Sequence, residues 1–221
     1  MLAMSIGVQM GLDYEALMDL GLGCLMHDLG MLRVSSPTYR SKRVLDEAEF
    51  LEITRHPVET FELLERSCDS LPIASRMVAY QIHERCNGSG YPRGRTAEQI
   101  HPLAKIAAVA DTHVALATSR PHRPGMLPYY IIETILQGVQ QGLFDASVVR
   151  ALLHTFSLFP IGSFVKLSDD RVGKVIRANR HEYVNPVIET WQPGRRGLGT
   201  EILDLSQTTG LSVVAPISYL D

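Results

Sequence analysis

The chain has 221 residues, of which 45% are hydrophobic and 20% are charged, and its formal net charge is −3. These values are typical of a folded globular protein, and they exclude a disordered chain and a broadly basic surface for a nucleic-acid polymer. No apolar run has the length of a membrane span, and the three cysteines lack CxxC spacing, so we predict a cytoplasmic protein without a disulfide framework.

The first ten residues already form an apolar helical pattern without a capping residue before it. This pattern indicates that upstream sequence is missing, and a genuine start with a fraying first turn is the alternative. Asp13 is predicted to cap the next helix, and Asp46 with Glu49 forms a capping-box pattern. The pattern predicts further helices over residues 13–28, 46–56, from 57, 72–84, from 102, 129–141 and 146–157.

After Pro160-Ile161-Gly162 the apolar period changes from helical to alternating. Short runs of alternating residues separated by turn-rich segments predict strands. These runs cover residues 164–167, 172–176, 187–191 and 202–205. We therefore expect a mainly α protein, with a helical domain over residues 1–158 followed by a small antiparallel β module over residues 160–221. The plain expectation for the β module is packing or partner docking.

The chemistry-bearing side chains lie in the helical part. His27, His56 and His83 each stand at or near a predicted helix end, and Asp111 lies on an otherwise apolar helix face. A single histidine on a helix is more often a structural residue than a ligand. A carboxylate on an apolar face is costly unless it is paired or binds a metal. Together with Asp28, these residues offer mixed nitrogen and oxygen ligation, which suits iron, manganese or zinc.

A glycine-rich loop follows His83-Glu84. It contains Gly88-Ser89-Gly90-Tyr91-Pro92, in which the glycines permit close backbone approach and the tyrosine offers a flat ring. A Gly-Tyr-Pro tripeptide alone would be an ordinary turn. Its position just after a histidine-glutamate pair favours a role at the site.

These motifs resemble the HD-GYP family, which belongs to a superfamily of metal-dependent phosphohydrolases and hydrolyses the bacterial messenger cyclic di-guanylate. The resemblance covers about residues 2–157. The motifs that carry it are His27-Asp28-Leu29-Gly30, His56-Pro57, His83-Glu84-Arg85 with Gly88-Ser89-Gly90-Tyr91-Pro92, and Ala110-Asp111 followed by Arg120-Pro121-His122-Arg123. It implies an HD-type helical bundle, and the β module is similar, more weakly, to one that follows such domains in some members.

The resemblance implies a set of metal ligands and a set of substrate contacts. Asp28 would be the catalytic carboxylate that bridges two ions, while Tyr91, Arg120 and Arg123 would face the substrate. For the two arginines the competing interpretation is a solvated helix end. The implied ions are divalent, with iron or manganese favoured and one or two expected rather than three. The implied metal ligands are His27, Asp28, His56, His83 and Asp111.

The implied activity is hydrolysis of cyclic di-GMP to linear pGpG and then GMP by a water that the ions activate. Three departures from the family pattern predict weakened turnover. Met31 stands where active members have a lysine, Ile82 replaces the first of two consecutive histidines, and the first family histidine would fall before Met1. Arg33 is suggested as a partial substitute for the lysine.

The alternative is a catalytically degenerate module that binds the ligand or regulates cyclic di-GMP signalling through protein contacts. The expected partners are a cyclic dinucleotide and, through the GYP loop, other proteins, with no nucleic-acid polymer and no membrane span. A nucleotide phosphohydrolase from another branch of the superfamily is a third interpretation, against which the Gly90-Tyr91-Pro92 loop argues.

Overall fold

The computed structural model describes residues 1–35, 38, 43–67, 70–119, 123–179, 182–191 and 200–217. The chain forms two compact units. The first consists of Met1–Met126 and Thr134–Thr155, and the second consists of Leu127–Glu133 and Phe156–Asp221. The predicted domain boundary at residues 158–160 stays a prediction.

The first unit is built from α-helices, with one helix divided between the two units. Short 3₁₀ segments cover Leu29–Arg33 and Ala97–Gln99. The α-helices are α1 (Leu2–Gln9), α2 (Tyr14–Met26), α3 (Glu47–Ile53), α4 (His56–Ser67), α5 (Ile73–Gln81), α6 (Pro102–Ala117), α7 (Pro128–Gln140) and α8 (Ala146–Thr155).

Local capping explains where several of these helices begin. The side chain of Asp13 accepts a hydrogen bond from the backbone N–H of Ala16 at 2.8 Å, as predicted for the start of α2. Asp46 and Glu49 form the predicted reciprocal capping box at the start of α3. Two helix ends differ from the prediction. Helix α3 ends at Ile53, and His56 begins α4 rather than ending α3. Helix α5 ends at Gln81, before His83 and Glu84.

Helix α6 is the centre of the helical unit, because it packs against α1, α2, α5 and α8. Its apolar residues Ile106 and Val109 are buried together with Ile6 of α1, Leu20 of α2 and Leu152 of α8. Burying such side chains is the main favourable contribution to folding. The same helix carries Asp111, so the core packing of α6 also fixes the position of that carboxylate.

The second unit contains an antiparallel sheet in the order β4-β3-β2-β1-β5. Its strands are β1 (Phe164–Leu167), β2 (Val172–Arg177), β3 (Val187–Trp191), β4 (Thr200–Asp204) and β5 (Val213–Ile217). Val165, Val175 and Ile188 are fully buried on the central strands, whereas Lys166 between two buried neighbours is exposed. This alternation is the period-2 pattern of a sheet with one covered face.

The mainly α fold followed by an antiparallel sheet is therefore confirmed. The four predicted strands are present within a few residues, but β5 was not predicted. It contains Pro216, which pairs with Val165 of β1, and a proline is tolerated in a strand at the sheet edge because the missing N–H can face outward. No helix among the described residues is long and apolar enough to cross a membrane.

Candidate metal centre

His27 lies directly after the end of α2. Its Nδ1 is 2.7 Å from the carbonyl oxygen of Cys24, one helical turn earlier. Since a carbonyl oxygen can only accept, this contact requires a proton on Nδ1, and in the neutral imidazole the lone pair is then on Nε2. That Nε2 lies 3.4 Å from Oδ2 of Asp28. The imidazole therefore presents its free nitrogen toward a carboxylate.

His56 repeats this arrangement at the first residue of α4. Its Nδ1 is 2.7 Å from the carbonyl oxygen of Ile53, and its Nε2 is 3.7 Å from Oδ1 of Asp28. The residue is only 2% exposed, and burial lowers the pKa of its imidazole. A neutral ring with its proton on Nδ1 is the form that binds a metal through Nε2.

His83 and Asp111 form the opposite side of the same cluster. His83 lies two residues beyond the end of α5, with Nδ1 3.7 Å from Oδ2 of Asp111. The other oxygen of Asp111, Oδ1, lies 3.9 Å from Nε2 of His27. Burial first, and then the neighbouring imidazoles of His56 and His27, hold the pKa of His83 well below its ordinary value.

The donor set fits a divalent metal centre. One donor atom each from His27, Asp28 and His83 lie within 4.8 Å of one another. The Nε2 atoms of His56 and His83 are buried and have no hydrogen-bond partner among the described residues, which is costly unless another group binds them. The structure thus brings together all five predicted ligands. Asp28 has one oxygen toward His27 and the other toward His56.

The Gly-Tyr-Pro loop folds back onto the cluster. The Tyr91 ring stacks on the His83 ring with centroids 4.9 Å apart and planes 23° from parallel. Its backbone N–H donates to the His83 carbonyl oxygen, and burial raises the pKa of its hydroxyl to about 12. A Cβ at Gly90 would overlap the backbone of Glu84 and Arg85, so only glycine fits this turn.

Glu84 holds the far side of this loop. Its carboxylate is 2% exposed and accepts hydrogen bonds from the backbone N–H groups of Arg93 at 2.8 Å and Arg95 at 2.9 Å. Hydrogen bonds to a charged acceptor are stronger than neutral ones. The glutamate of the motif therefore braces the loop that carries Tyr91.

The cluster opens into a cavity of about 720 Å³. One end is polar and contains the histidines and the two aspartates described above. The rest of the lining is an apolar wall formed by Met31, Leu32, Val34, Leu45, Phe50, Ile53 and Ala115. Tyr91 completes the lining, and its ring contacts both His83 and Phe50.

Neither of the two predicted substrate arginines is among the described residues that line the cavity. Arg120 lies outside the described residues. Arg123 donates through Nη2 to the carbonyl oxygen of Ala115 at 2.9 Å and is not among the residues that line the cavity. The substrate roles of Tyr91, Arg120 and Arg123 remain predictions.

The structure also places the residues that depart from the family pattern, Met31 and Ile82, and the suggested substitute Arg33. Met31 lines the cavity, while Ile82 is buried in the core and 1% exposed. Arg33 forms ion pairs with Glu59 and Glu62. The suggested substitute for the lysine is therefore engaged with two carboxylates.

Sequence reasoning missed two buried residues that support the cluster, Thr60 and Glu84. The hydroxyl of Thr60 bonds the backbone on both sides of Asp28. A signal was present, because Thr60 follows His56 by four residues and so shares its helix face. The sequence analysis included Glu84 in the His83-Glu84 motif but did not predict its hydrogen bonds to the loop.

The pattern of the HD domain family matches residues 1–148. The chain belongs to the HD domain family. Membership of this family implies a divalent metal centre, and the cluster of His27, Asp28 and His83 offers the ligands for it.

Several curated relatives are similar in sequence to much of this chain. This chain is 29% identical over 194 residues to a cyclic di-GMP phosphodiesterase of Pseudomonas aeruginosa, and the match covers 88% of this chain and 46% of the relative. It is 32% identical over 150 residues to the cyclic di-GMP phosphodiesterase response regulator RpfG of Xanthomonas campestris, covering 67% and 39%. It is 31% identical over 153 residues to 3'3'-cGAMP-specific phosphodiesterase 1 of Vibrio cholerae, covering 69% and 35%.

Among solved structures, an HDG"Y"P protein of Bdellovibrio bacteriovorus matches with a TM-score of 0.57 and 19% identity. The match covers 68% of this chain and 47% of that one. The chain thus spans less than half the length of these relatives. Together the matches confirm the resemblance to the HD-GYP group and its helical fold.

Proposed function

We propose that this HD domain is a metal-dependent phosphodiesterase that hydrolyses cyclic di-GMP to linear pGpG and GMP with reduced turnover. The observation that carries the proposal is the Asp28 carboxylate between two imidazoles, His27 and His56, whose Nδ1 atoms are both bonded to backbone carbonyls. That arrangement leaves two Nε2 lone pairs and two carboxylate oxygens converging, which suits a centre of one or two ions.

Five side chains would hold the ions, and their mixed nitrogen and oxygen donors suit iron, manganese or zinc. The resemblance to the HD-GYP family favours iron or manganese among these. When bound, divalent ions supply activation of a water and neutralisation of phosphate charge. Asp28 is the proposed catalytic carboxylate, and Asp111 lies across the cluster with one oxygen 3.9 Å from His27 and the other 3.7 Å from His83. The ligands are His27, Asp28, His56, His83 and Asp111.

The cavity supports a nucleotide-sized ligand. Its volume of about 720 Å³ lies within the roughly 300–1,000 Å³ range of small-molecule sites. The phosphodiester would lie at the polar end, and the bases would lie against Tyr91 and the apolar wall. Arg120 and Arg123 are retained as proposed phosphate contacts because a guanidinium matches phosphate oxygens in geometry as well as charge.

Reduced turnover is proposed because of Met31. This thioether lines the cavity where a cation would contact phosphate, and it cannot donate or carry charge. Arg33 does not offset the loss, since Glu59 and Glu62 engage its guanidinium.

The test is anaerobic loading of the purified chain with Fe²⁺ or Mn²⁺, followed by chromatography of nucleotide products. We expect slow conversion of cyclic di-GMP to pGpG, lost in His27→Ala and retained in His154→Ala, which changes an exposed histidine on α8. Parallel samples with 3'3'-cGAMP and with nucleoside triphosphates separate the substrate classes. Stoichiometric metal without turnover of any cyclic dinucleotide would refute the proposal.

The second candidate is a degenerate module that binds cyclic di-GMP without hydrolysing it and acts on partner proteins through the loop at residues 88–92. Met31 in the cavity and the buried Ile82 favour it. Ser89 and Arg93 of the loop region are exposed, so a partner could reach them. Calorimetry distinguishes the candidates: saturable binding of intact cyclic di-GMP with bound metal and no product supports the module.

A further inference from the structure

Helix α2 and the 3₁₀ segment that follows it meet at Asp28, and each leaves a backbone group without an internal partner. The carbonyl of His27 lies past the last turn of α2, and the N–H of Gly30 lies in the first turn of the next segment. Groups at helix ends have no intrahelical partner and must be satisfied from elsewhere. Gly30 is buried, so its N–H needs a partner from the protein.

A single hydroxyl satisfies both groups. Oγ1 of Thr60 donates to the His27 carbonyl oxygen at 2.9 Å and accepts from the Gly30 N–H at 2.8 Å. Thr60 is fully buried, with 0% exposure. A hydroxyl can donate one hydrogen bond and accept others, so this threonine uses both capacities at once.

Close packing leaves no freedom around this contact. A Cβ at Gly30 would overlap the carbonyl oxygen of His56 and approach the Thr60 nitrogen to 2.7 Å. The backbone after Asp28 therefore lies directly against the first turn of α4, the turn that carries His56 and Thr60. The hydroxyl joins the two elements that carry His27, Asp28 and His56.

We infer that Thr60 is a positioning residue that sets Asp28 between His27 and His56 for metal binding. Its hydroxyl bonds the backbone on both sides of Asp28, at His27 and at Gly30. The inference rests on the proposed metal centre of the preceding section. It adds that ligand geometry depends on one hydroxyl that does not touch the ions.

The test compares Mn²⁺ affinity, measured by chelator competition, in wild type, Thr60→Val and Thr60→Ser. The valine variant has the same shape without the hydroxyl, and we expect its affinity to fall at least about tenfold. Thr60→Ser restores the hydroxyl and is expected to bind within about twofold of wild type. The absorption spectrum of the Co²⁺-loaded protein should shift in the valine variant and not in the serine variant.

Ser75→Ala is the matched control, because Ser75 is also fully buried in the helical unit and donates to Asp19 Oδ1 at 3.0 Å. It removes a buried hydroxyl away from the cluster and is expected to retain wild-type affinity. If Thr60→Val does not fold, Thr60→Ala replaces it and must still lose affinity about fivefold or more.

The outcomes separate the inference from the function beneath it. If the wild-type protein binds no metal, the proposed metal centre itself is refuted. Wild type that binds metal, with a folded Thr60→Val or Thr60→Ala variant of equal affinity and unchanged Co²⁺ spectrum, overturns the role of Thr60 alone. Equal losses in Thr60→Val and Ser75→Ala also overturn it, because the effect would then be general destabilisation.

Discussion

The helical unit and the sheet unit bury different kinds of residue. The sheet unit buries apolar side chains, and Thr190 is the buried polar residue among its described positions. A polar group in the interior is costly unless it is hydrogen-bonded or binds a ligand. In the helical unit, His56 belongs to the candidate metal centre, and Thr60 and Glu84 bond the backbone beside it. The buried polar residues described there are Thr38, His56, Thr60, Ser75, Gln81, Glu84 and His113.

Two optical probes can follow the regions separately. Trp191 is the only tryptophan in the chain; it lies on β3 and stacks on Phe164 with centroids 6.3 Å apart. Its fluorescence reports unfolding of the sheet, whereas circular dichroism at 222 nm mainly reports the helices. Each variant below can thus be assigned to one region.

Asp28→Asn is expected to have the largest effect. The amide keeps the shape but cannot bridge two cations, so turnover of cyclic di-GMP should fall at least about 1,000-fold, with loss of Mn²⁺ binding. Product chromatography and metal analysis measure these changes. Asp169→Asn, in the turn where Asp169 bonds Arg171 at 2.7 Å, is the sheet counterpart and should change neither. Normal turnover in Asp28→Asn would contradict the assignment of catalysis to the helical unit.

Glu84→Ala should destabilise the helical unit by about 3 kcal/mol, because it removes a buried carboxylate that accepts hydrogen bonds from the backbone N–H groups of Arg93 and Arg95. Urea titration followed by circular dichroism measures the free energy of unfolding. Glu201→Ala removes an exposed ion pair with Arg171 in the sheet and should cost no more than about 0.5 kcal/mol in the fluorescence transition. Similar costs in the two variants would contradict the argument from burial.

Met31→Lys is expected to raise turnover about tenfold, which corresponds to roughly 1.4 kcal/mol of transition-state stabilisation. The physical reason is a new cation beside the phosphodiester in the cavity. Leu32→Lys is the matched control, since Leu32 also lines the cavity but is 82% exposed, and it should change turnover less. Steady-state kinetics decides between them. No gain in Met31→Lys would favour the binding module.

Thr190→Val should have the smallest effect, about 1 kcal/mol, from loss of the hydrogen bond to the Val172 carbonyl oxygen at 3.0 Å. The loss should appear in the fluorescence transition, with Mn²⁺ affinity unchanged. It is the sheet counterpart of Thr60→Val, with the same chemical change in a buried site. A fall in metal affinity would mean that the two regions are not functionally separate.

Much of the fold could be predicted because its signals are local. Asp13 and the pair of Asp46 and Glu49 cap helices through contacts three residues apart, so their pattern is visible in the sequence. The edge strand β5 could not be predicted in the same way. Pro216 argues against a strand unless its position at the sheet edge is known, and that position depends on pairing with β1.

The sequence by itself determined the family and the candidate ligands, because each motif is a short run of residues with distinctive chemistry. It also determined that His27, His56 and His83 lie at or near helix ends, through capping and periodicity. Only the tertiary structure decided that the Thr60 hydroxyl joins His27 and Gly30, and that Glu84 braces the loop of Tyr91. The Thr60 contacts join residues 30 and 33 positions apart, and a contact at that separation depends on the path of the whole chain.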